Sequence, residues 1–278
     1  MATRREFIKT GIRTLAGFAI TYPVIFERYG VRIVEYEITV PNLPEAFDGY
    51  RILHFSDLHY GFLNPRVLVK GIVDMANSAN ADVIACTGDY VKKSNTKSEL
   101  NVVFPELMKL SARDGVYMVL GNHDHWANNN EALRLLEQSG RSVRHKSVKI
   151  ERGGSAIRIA GTGDLWEDEP GIDKALSDVP RDECRIVLAH NPDTADTDFD
   201  SRIDLMLSGH THGGQVVLPF IGPPFLPVKN RSYAHGLVKG KKCFVFISRG
   251  IGASTIPVRV NCYPEIPLLK LKCAKEAV

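Results

Sequence analysis

Nine residues stand at recurring places in the chain where they could do chemistry: Asp57, His59, Asp89, Asn122, His123, Asp124, His190, His210 and His212. The last two lie in Ser208-Gly209-His210-Thr211-His212-Gly213-Gly214, one residue apart and flanked by glycine. Side chains at i and i+2 of an extended segment fall on one side, so both imidazoles are expected to aim at one point. The glycines keep the backbone there thin and free to turn. A His-x-His pair alone is as readily two ordinary polar residues. Upstream, Asp57-Leu58-His59, Gly88-Asp89, Gly121-Asn122-His123-Asp124 and His190-Asn191-Pro192 change its weight. Carboxylate oxygen and imidazole nitrogen without thiolate suit Mn, Fe or Zn. Nine side chains exceed the needs of one ion. They fit two ions about 3.5–4 Å apart, with a bridging carboxylate and a water that loses a proton to become the nucleophile.

These residues follow β-rich runs. Runs at 31–39, 50–56, 81–87, 116–120, 185–189, 203–207 and 243–248 read as strands, most of them continuously apolar and therefore covered on both faces. Residues 143–150 and 156–160 read as a hairpin closing at Gly161-Thr162-Gly163-Asp164. Asn64 and Pro65 resemble a helix cap followed by an N1 proline, with Leu68, Ile72, Met75, Ala76 and Ala79 at helical spacing after them. Further helices are expected around 105–110 and through Glu131, Leu133, Leu135 and Leu136, the latter stopped by Gly140. The pattern predicts an α/β (α+β) fold, a two-sheet β-sandwich flanked by helices, with ligands beyond the carboxyl ends of the strands. Loops distant in sequence should then converge on one site.

The ordered blocks Asp57-x-His59, Gly88-Asp89, Gly121-Asn122-His123-Asp124, His190 and Gly209-His210-x-His212 resemble the calcineurin-like metallophosphoesterase family over residues 50–250. The resemblance implies that Asp57, His59 and His212 hold one divalent metal ion, that Asn122, His190 and His210 hold the other, and that Asp89 bridges. It further implies that His123 is no ligand but donates to the phosphate or the leaving oxygen, with Asp124 orienting its ring. Many relatives carry a second acidic residue after the Gly-Asp block; here Tyr90-Val91-Lys92-Lys93 stands, read as loop variation. The implied activity is metal-dependent hydrolysis of a phosphoester, a phosphodiester or pyrophosphate before a protein phosphate because no separate recognition domain is visible. The contrasting class is a non-catalytic metal-binding scaffold, which normally lacks a bridging or catalytic residue; none is missing here.

The remaining features bear on partners and place. With 44% hydrophobic and 24% charged residues the chain is an ordinary globular protein, and a net charge of +3 without basic blocks gives no sign of nucleic-acid binding. Cys86, Cys184, Cys243, Cys262 and Cys273, without C-x-x-C spacing, read as buried small hydrophobes. Arg4-Arg5-Glu6-Phe7-Ile8-Lys9 ahead of the uncharged run 14–26 resembles a twin-arginine export signal. That run is short for a membrane span and is interrupted by Pro23. Residues 1–30 are accordingly expected to be a signal or membrane-associated segment rather than a folded element, and 31–278 one domain. The apolar, proline-rich stretch 218–227 is either a rigid packed connection or a lip that meets lipid, so a lipid-linked substrate is one expectation. The bacterial branch of the family also admits hydrolysis of UDP-2,3-diacylglucosamine, which favours a site facing the cytosol, whereas the export motif favours the periplasm or envelope. Arg249 is a candidate phosphate clamp or a structural salt bridge, and His125 a candidate pocket residue. His54 reads as packed core, His145 and His235 as surface or loop.

Overall fold

In the computed structural model, which describes residues 3–61 and 64–274, the chain begins with helix α1 (Arg4–Thr21), whose described side chains are all exposed. A π-helical turn, Tyr22–Glu27, continues it. No helix among the described residues is long and apolar enough to cross a membrane. Residues 22–28, expected to belong to a signal, are docked on the C-terminal part of the chain. Arg259 N donates to Pro23 O at 3.1 Å. Cys262 N donates to the buried Glu27 carboxylate at 2.6 Å, and Arg28 Nη1 to Pro257 O at 3.4 Å.

Then follow β1 (Arg32–Val40), β2 (Arg51–Phe55), α2 (Arg66–Asn77), β3 (Val83–Cys86), α3 (Lys97–Leu107), β4 (Val116–Met118) and α4 (Asn122–Gln138). The second half comprises β5 (Lys146–Arg152), β6 (Ser155–Gly161), α5 (Ile172–Ala175), β7 (Cys184–Leu188), β8 (Leu205–Ser208), β9 (Gly236–Lys239), β10 (Phe244–Ile247) and β11 (Glu265–Cys273). One sheet has the order β1-β11-β2-β3-β4, the other β5-β6-β7-β8-β10-β9. Both are mixed: β2, β3 and β4 run parallel, and so do β6, β7, β8 and β10, while β11 opposes β2 and β9 opposes β10.

Side-chain alternation builds the layers. Ile52, Val83 and Ala85 point between the sheets to meet Ile159, Ile186 and Leu207, whereas Leu53, Ile84 and Cys86 point outward onto α2, α3 and α4 through Val69, Ile72, Leu100, Phe104 and Leu136. On the far face of the second sheet, Val187, Met206 and Val245 are covered by Ile172, Leu176 and Phe199. Removing a central side chain such as Ile52 costs about 2–5 kcal/mol. The two-sheet sandwich flanked by helices is the predicted architecture.

Three elements depart from expectation. Asn64 does not cap α2: its side chain donates to the carbonyls of Leu58 and His59, and Pro65 holds the N-cap position. Helix α3 ends at Leu107 rather than running over 105–110, with Pro105 inside its last turn. Strands β9 and β11 were not anticipated.

Candidate metal centre

The loops after β2, β3, β7 and β8 and the first turn of α4 meet at one end of the sandwich. There, potential ligand atoms form three overlapping groups, each within 4.8 Å: Asp57, His59 and His212; His59, Asp89 and His123; and Asp89, His190 and His210. His212 Nε2 lies 3.3 Å from Asp57 Oδ1 and 2.9 Å from His59 Nε2. On the other side, His190 Nε2 is 3.1 Å from both Asn122 Oδ1 and His210 Nδ1. Asp89 Oδ2 stands between the halves, 3.5 Å from His59 Nε2 and 3.3 Å from His190 Nε2.

Hydrogen bonds behind the rings set their tautomers. His190 Nδ1–H donates to Thr87 O at 2.8 Å and His210 Nε2–H to Pro227 O at 3.0 Å, so the opposite nitrogens turn lone pairs toward one another. Facing lone pairs repel unless a positive charge, a proton or a shared cation, lies between them. The donor chemistry, oxygen and imidazole nitrogen with Asp89 shared, therefore fits two divalent cations.

The backbone is bent to this purpose. Asp57, His59, Asp89, His210 and His212 all have φ between 47° and 68°, a left-handed region that costs non-glycine residues roughly 1–2 kcal/mol each. Contrary to the expected extended segment, His210 and His212 flank a right-handed Thr211 (φ −79°, ψ −21°), and this alternation sends the two rings into different groups. Gly209 is required by close approach: a Cβ there would collide with Ser56 Oγ and the Asp57 carboxylate. His210 N donates to Asp57 Oδ1 at 3.0 Å, and Ser56 Oγ donates to Oδ2 at 2.6 Å. Behind Ser56 stand Thr87 Oγ1 at 2.7 Å and the buried His54, whose Nε2 lies 2.8 Å from Thr87 Oγ1.

Burial dominates the electrostatics. It pushes Asp57 up to about 6, lowers His59 and His212 well below the usual imidazole range and brings His210 down to about 3. Burial opposes charge at Asp89 and His190 too, but their mutual attraction prevails: Asp89 stays ionised and His190 is raised to about 10. A bound cation would take the place of that proton, since imidazole ligates as the neutral ring.

Other candidates fall differently. His123 Nδ1 donates to Lys92 O at 2.6 Å, and its backbone N–H to Asp89 Oδ1 at 2.9 Å, which leaves Nε2 for the site. The expected orienting bond from Asp124 is therefore absent. Asp124 is fully buried and instead accepts the N–H groups of Gly121, Asp89, Tyr90 and Val91 at 2.8–3.3 Å, pinning the Asp89 loop. His125 packs inward with Nδ1 2.6 Å from Asn129 Oδ1 and does not line the pocket. Arg249 also stays outside the pocket: its backbone N–H donates to Glu265 Oε1 at 3.0 Å and Nη1 lies 3.9 Å from Oε2, so the salt bridge is the reading that holds. In the loop 218–227, Leu226 is buried and Pro227 holds His210, while Phe220, Ile221 and Phe225 are exposed. A cavity of about 610 Å³ opens beside Asp89, His123 and His210. Its walls include Trp126 and Trp166, which sequence reasoning passed over although they are the chain's two tryptophans.

Two mixed sheets with helices outside and a carboxylate–imidazole cluster at their strand ends define a metallophosphoesterase. Residues 50–214 match the calcineurin-like phosphoesterases, and the chain belongs to that family. It is 32% identical to the metallophosphoesterase YkuE of Bacillus subtilis (strain 168), over 97% of this chain and 98% of that one. It is 31% identical to phosphodiesterase YaeI of Escherichia coli (strain K12), over 98% and 100%. A dimetal phosphatase from Danio rerio shares 12% identity, covering 76% of this chain and 90% of that one with a TM-score of 0.43.

Proposed function

We propose that the protein hydrolyses a phosphodiester or pyrophosphate bond, with one divalent ion (Mn, Fe or Zn) held by Asp57, His59 and His212 and a second by Asn122, His190 and His210. The observation that carries this is the place of Asp89, whose Oδ2 lies within 3.5 Å of an imidazole nitrogen from each half. When bound, the ions supply Lewis-acid charge and lower the pKa of water. The chain's own residues do the rest. Asp57 and Asp89 balance the positive charge, and Lys92 O aims His123 so that Nε2 can give a hydrogen bond or proton to the departing oxygen. The similarity to a protein named a phosphodiesterase favours a diester. The test is turnover of bis(p-nitrophenyl) phosphate with added Mn²⁺: the native chain should release p-nitrophenolate, and near-normal turnover by Asp89→Ala would refute the shared-carboxylate reading.

The substrate is proposed to be membrane- or envelope-associated. Residues 1–30 are read as a twin-arginine-type leader and 31–278 as one catalytic domain, reached by export to the periplasm or envelope. The exposed Phe220, Ile221 and Phe225 support contact with a lipid surface. The alternative is a hydrolase of UDP-2,3-diacylglucosamine at the cytoplasmic face. Cell fractionation with Arg4 and Arg5 changed to Lys separates the two: a location unaffected by the change sinks the export route.

A further inference from the structure

The cavity beside the candidate metal centre has an unusual wall. Trp126 packs against His123 with ring centroids 4.7 Å apart, and Trp166 stands edge-on to His210 at 4.5 Å. The two indoles lie 6.3 Å apart with planes 27° from parallel, so they form one continuous apolar face from the first half of the site to the second. The face is fixed from behind: Trp126 Nε1–H donates to Glu167 Oε1 at 2.6 Å, and the backbone N–H groups of Trp166 and Glu167 donate to Asp164 Oδ1 at 2.9 and 3.1 Å. Val216, Phe225, Pro227 and Ile256 also line the cavity, and Trp166, Phe225 and Ile256 stay substantially exposed.

Two polar side chains of this lining are already engaged. Gln215 uses its oxygen on Ser254 N and its nitrogen on Ile256 O. Thr211 Oγ1 donates to Ala234 O and accepts from Gly213 N. Among the described lining residues outside the candidate metal centre, Lys92 is the single cation, Ser254 is half-buried and Thr255 is exposed. A nucleobase needs free donors and acceptors to read its edge, and a sugar needs several; beside the indoles only Ser254, Thr255 and Lys92 offer any. A hydrocarbon needs only dry wall.

Resting on the reading of the site as a phosphodiester hydrolase, we propose that the Trp126–Trp166 face seats an aliphatic ester chain of the substrate, making the enzyme selective for alkyl or acyl-bearing phosphodiesters. The chain lies along the indoles while the phosphate reaches the strand-end residues. Lys92 is the cation beside it.

The test is a homologous series of p-nitrophenyl alkyl phosphodiesters, methyl to hexyl, with the leaving group held constant. In each, water adds its oxygen to phosphorus and the phosphorus–aryl oxygen bond breaks. p-Nitrophenolate leaves with the bonding pair, and the alkyl phosphate remains as one proton is released. For the native chain with Mn²⁺, kcat/KM for the hexyl ester should exceed that for the methyl ester at least about thirtyfold, since each buried methylene is worth up to about fourfold. In Trp166→Ala and in Trp126→Ala/Trp166→Ala the hexyl-to-methyl ratio should fall to below about threefold, and Trp166→Phe should restore most of it. Ratios taken within one variant cancel any general loss of turnover. Hydrolysis of the methyl ester with a flat series overturns the inference and leaves the proposed function standing. If no ester is hydrolysed with any metal, the proposed function fails and the tryptophans themselves decide the inference. Their fluorescence must then report hexyl phosphate binding at least tenfold tighter than methyl phosphate, and equal binding overturns the proposal.

Discussion

The Nε2 atoms of His59 and His212 lie 2.9 Å apart, although 153 residues separate them in sequence. Burial keeps both rings neutral, and both turn the same nitrogen toward Asp57. A cation satisfies both at once. Replacing His212 by Ala removes one donor of this half and leaves Asp89, Asn122, His190 and His210 in place. Bound metal is then expected to fall from about two equivalents to about one, measured by elemental analysis after dialysis. Two equivalents retained would remove His212 from the ligand set.

His123 differs because Lys92 O and the Asp89 loop position it without drawing on its Nε2. His123→Ala should keep its metal while kcat falls roughly 10²–10⁴-fold, the usual worth of a positioned proton donor. A loss of metal to match would make it a ligand instead.

Asp124 supports the site mechanically. Its replacement by Ala leaves four buried N–H groups without an acceptor, each worth about 1–3 kcal/mol. Because water and relaxation offset part of that, a net loss of about 3 kcal/mol is expected, a drop in Tm of about 6–12 °C for a chain of this size. Calorimetry in the presence of a chelator checks it. An unchanged Tm would mean that the Asp89 loop is held elsewhere.

His54 gives a pH signature. Burial lowers its pKa to about 3, so unfolding takes up a proton at any pH between that value and the unfolded value near 6.5. Its contribution is fully present above about 6.5 and is lost as pH falls. At pH 4.5 the native chain should have lost roughly 2–3 kcal/mol from this group relative to pH 7.5. His54→Gln, which cannot titrate, should show a smaller difference in urea midpoint between the two pH values. Parallel pH profiles for both proteins would contradict the assignment.

The docked N-terminal turn makes a fifth prediction. Arg259 is fully buried and donates to the carbonyls of Arg249, Gly250 and Gly252 beside His212, while its own backbone holds Pro23. Glu27→Ala strands the N–H of Cys262, three residues further on, and should cost about 1–3 kcal/mol. Removing residues 3–20, whose described side chains are all exposed, should leave the urea midpoint unchanged. A urea midpoint unchanged by Glu27→Ala would show that the turn is not part of the folded domain.

Much of the site was legible because each ligand candidate closes an apolar strand, so its type and its place could be read together. The sandwich followed from the same runs. Strand β11 escaped notice because Pro267 and the charged Lys270 and Lys272 break the apolar pattern; as an inner strand it is masked by a charged edge of its own. The roles of Asp124 and Arg249 depended on partners that approach from other segments, which spacing does not encode. The left-handed backbone at Asp57, His59, Asp89, His210 and His212 was equally invisible, since nothing in those residue types demands it. The tryptophans offered one clue, each standing two residues after a strand-end or motif aspartate, Asp124 and Asp164.

The strand order β1-β11-β2 carries a consequence in time. Among the described residues the strand latest in sequence lies between the first two, paired with β1 in parallel from Arg32↔Glu265 to Val40↔Cys273 and with β2 through Leu268↔Leu53. Until residue 273 has emerged from the ribosome, β1 has no neighbour and the first sheet cannot close. Assembly is therefore a late event, slowed by the search for contacts across more than two hundred residues. The turn at Tyr22–Glu27, held by residues from the same late segment, marks when it is complete: it docks only on a finished domain.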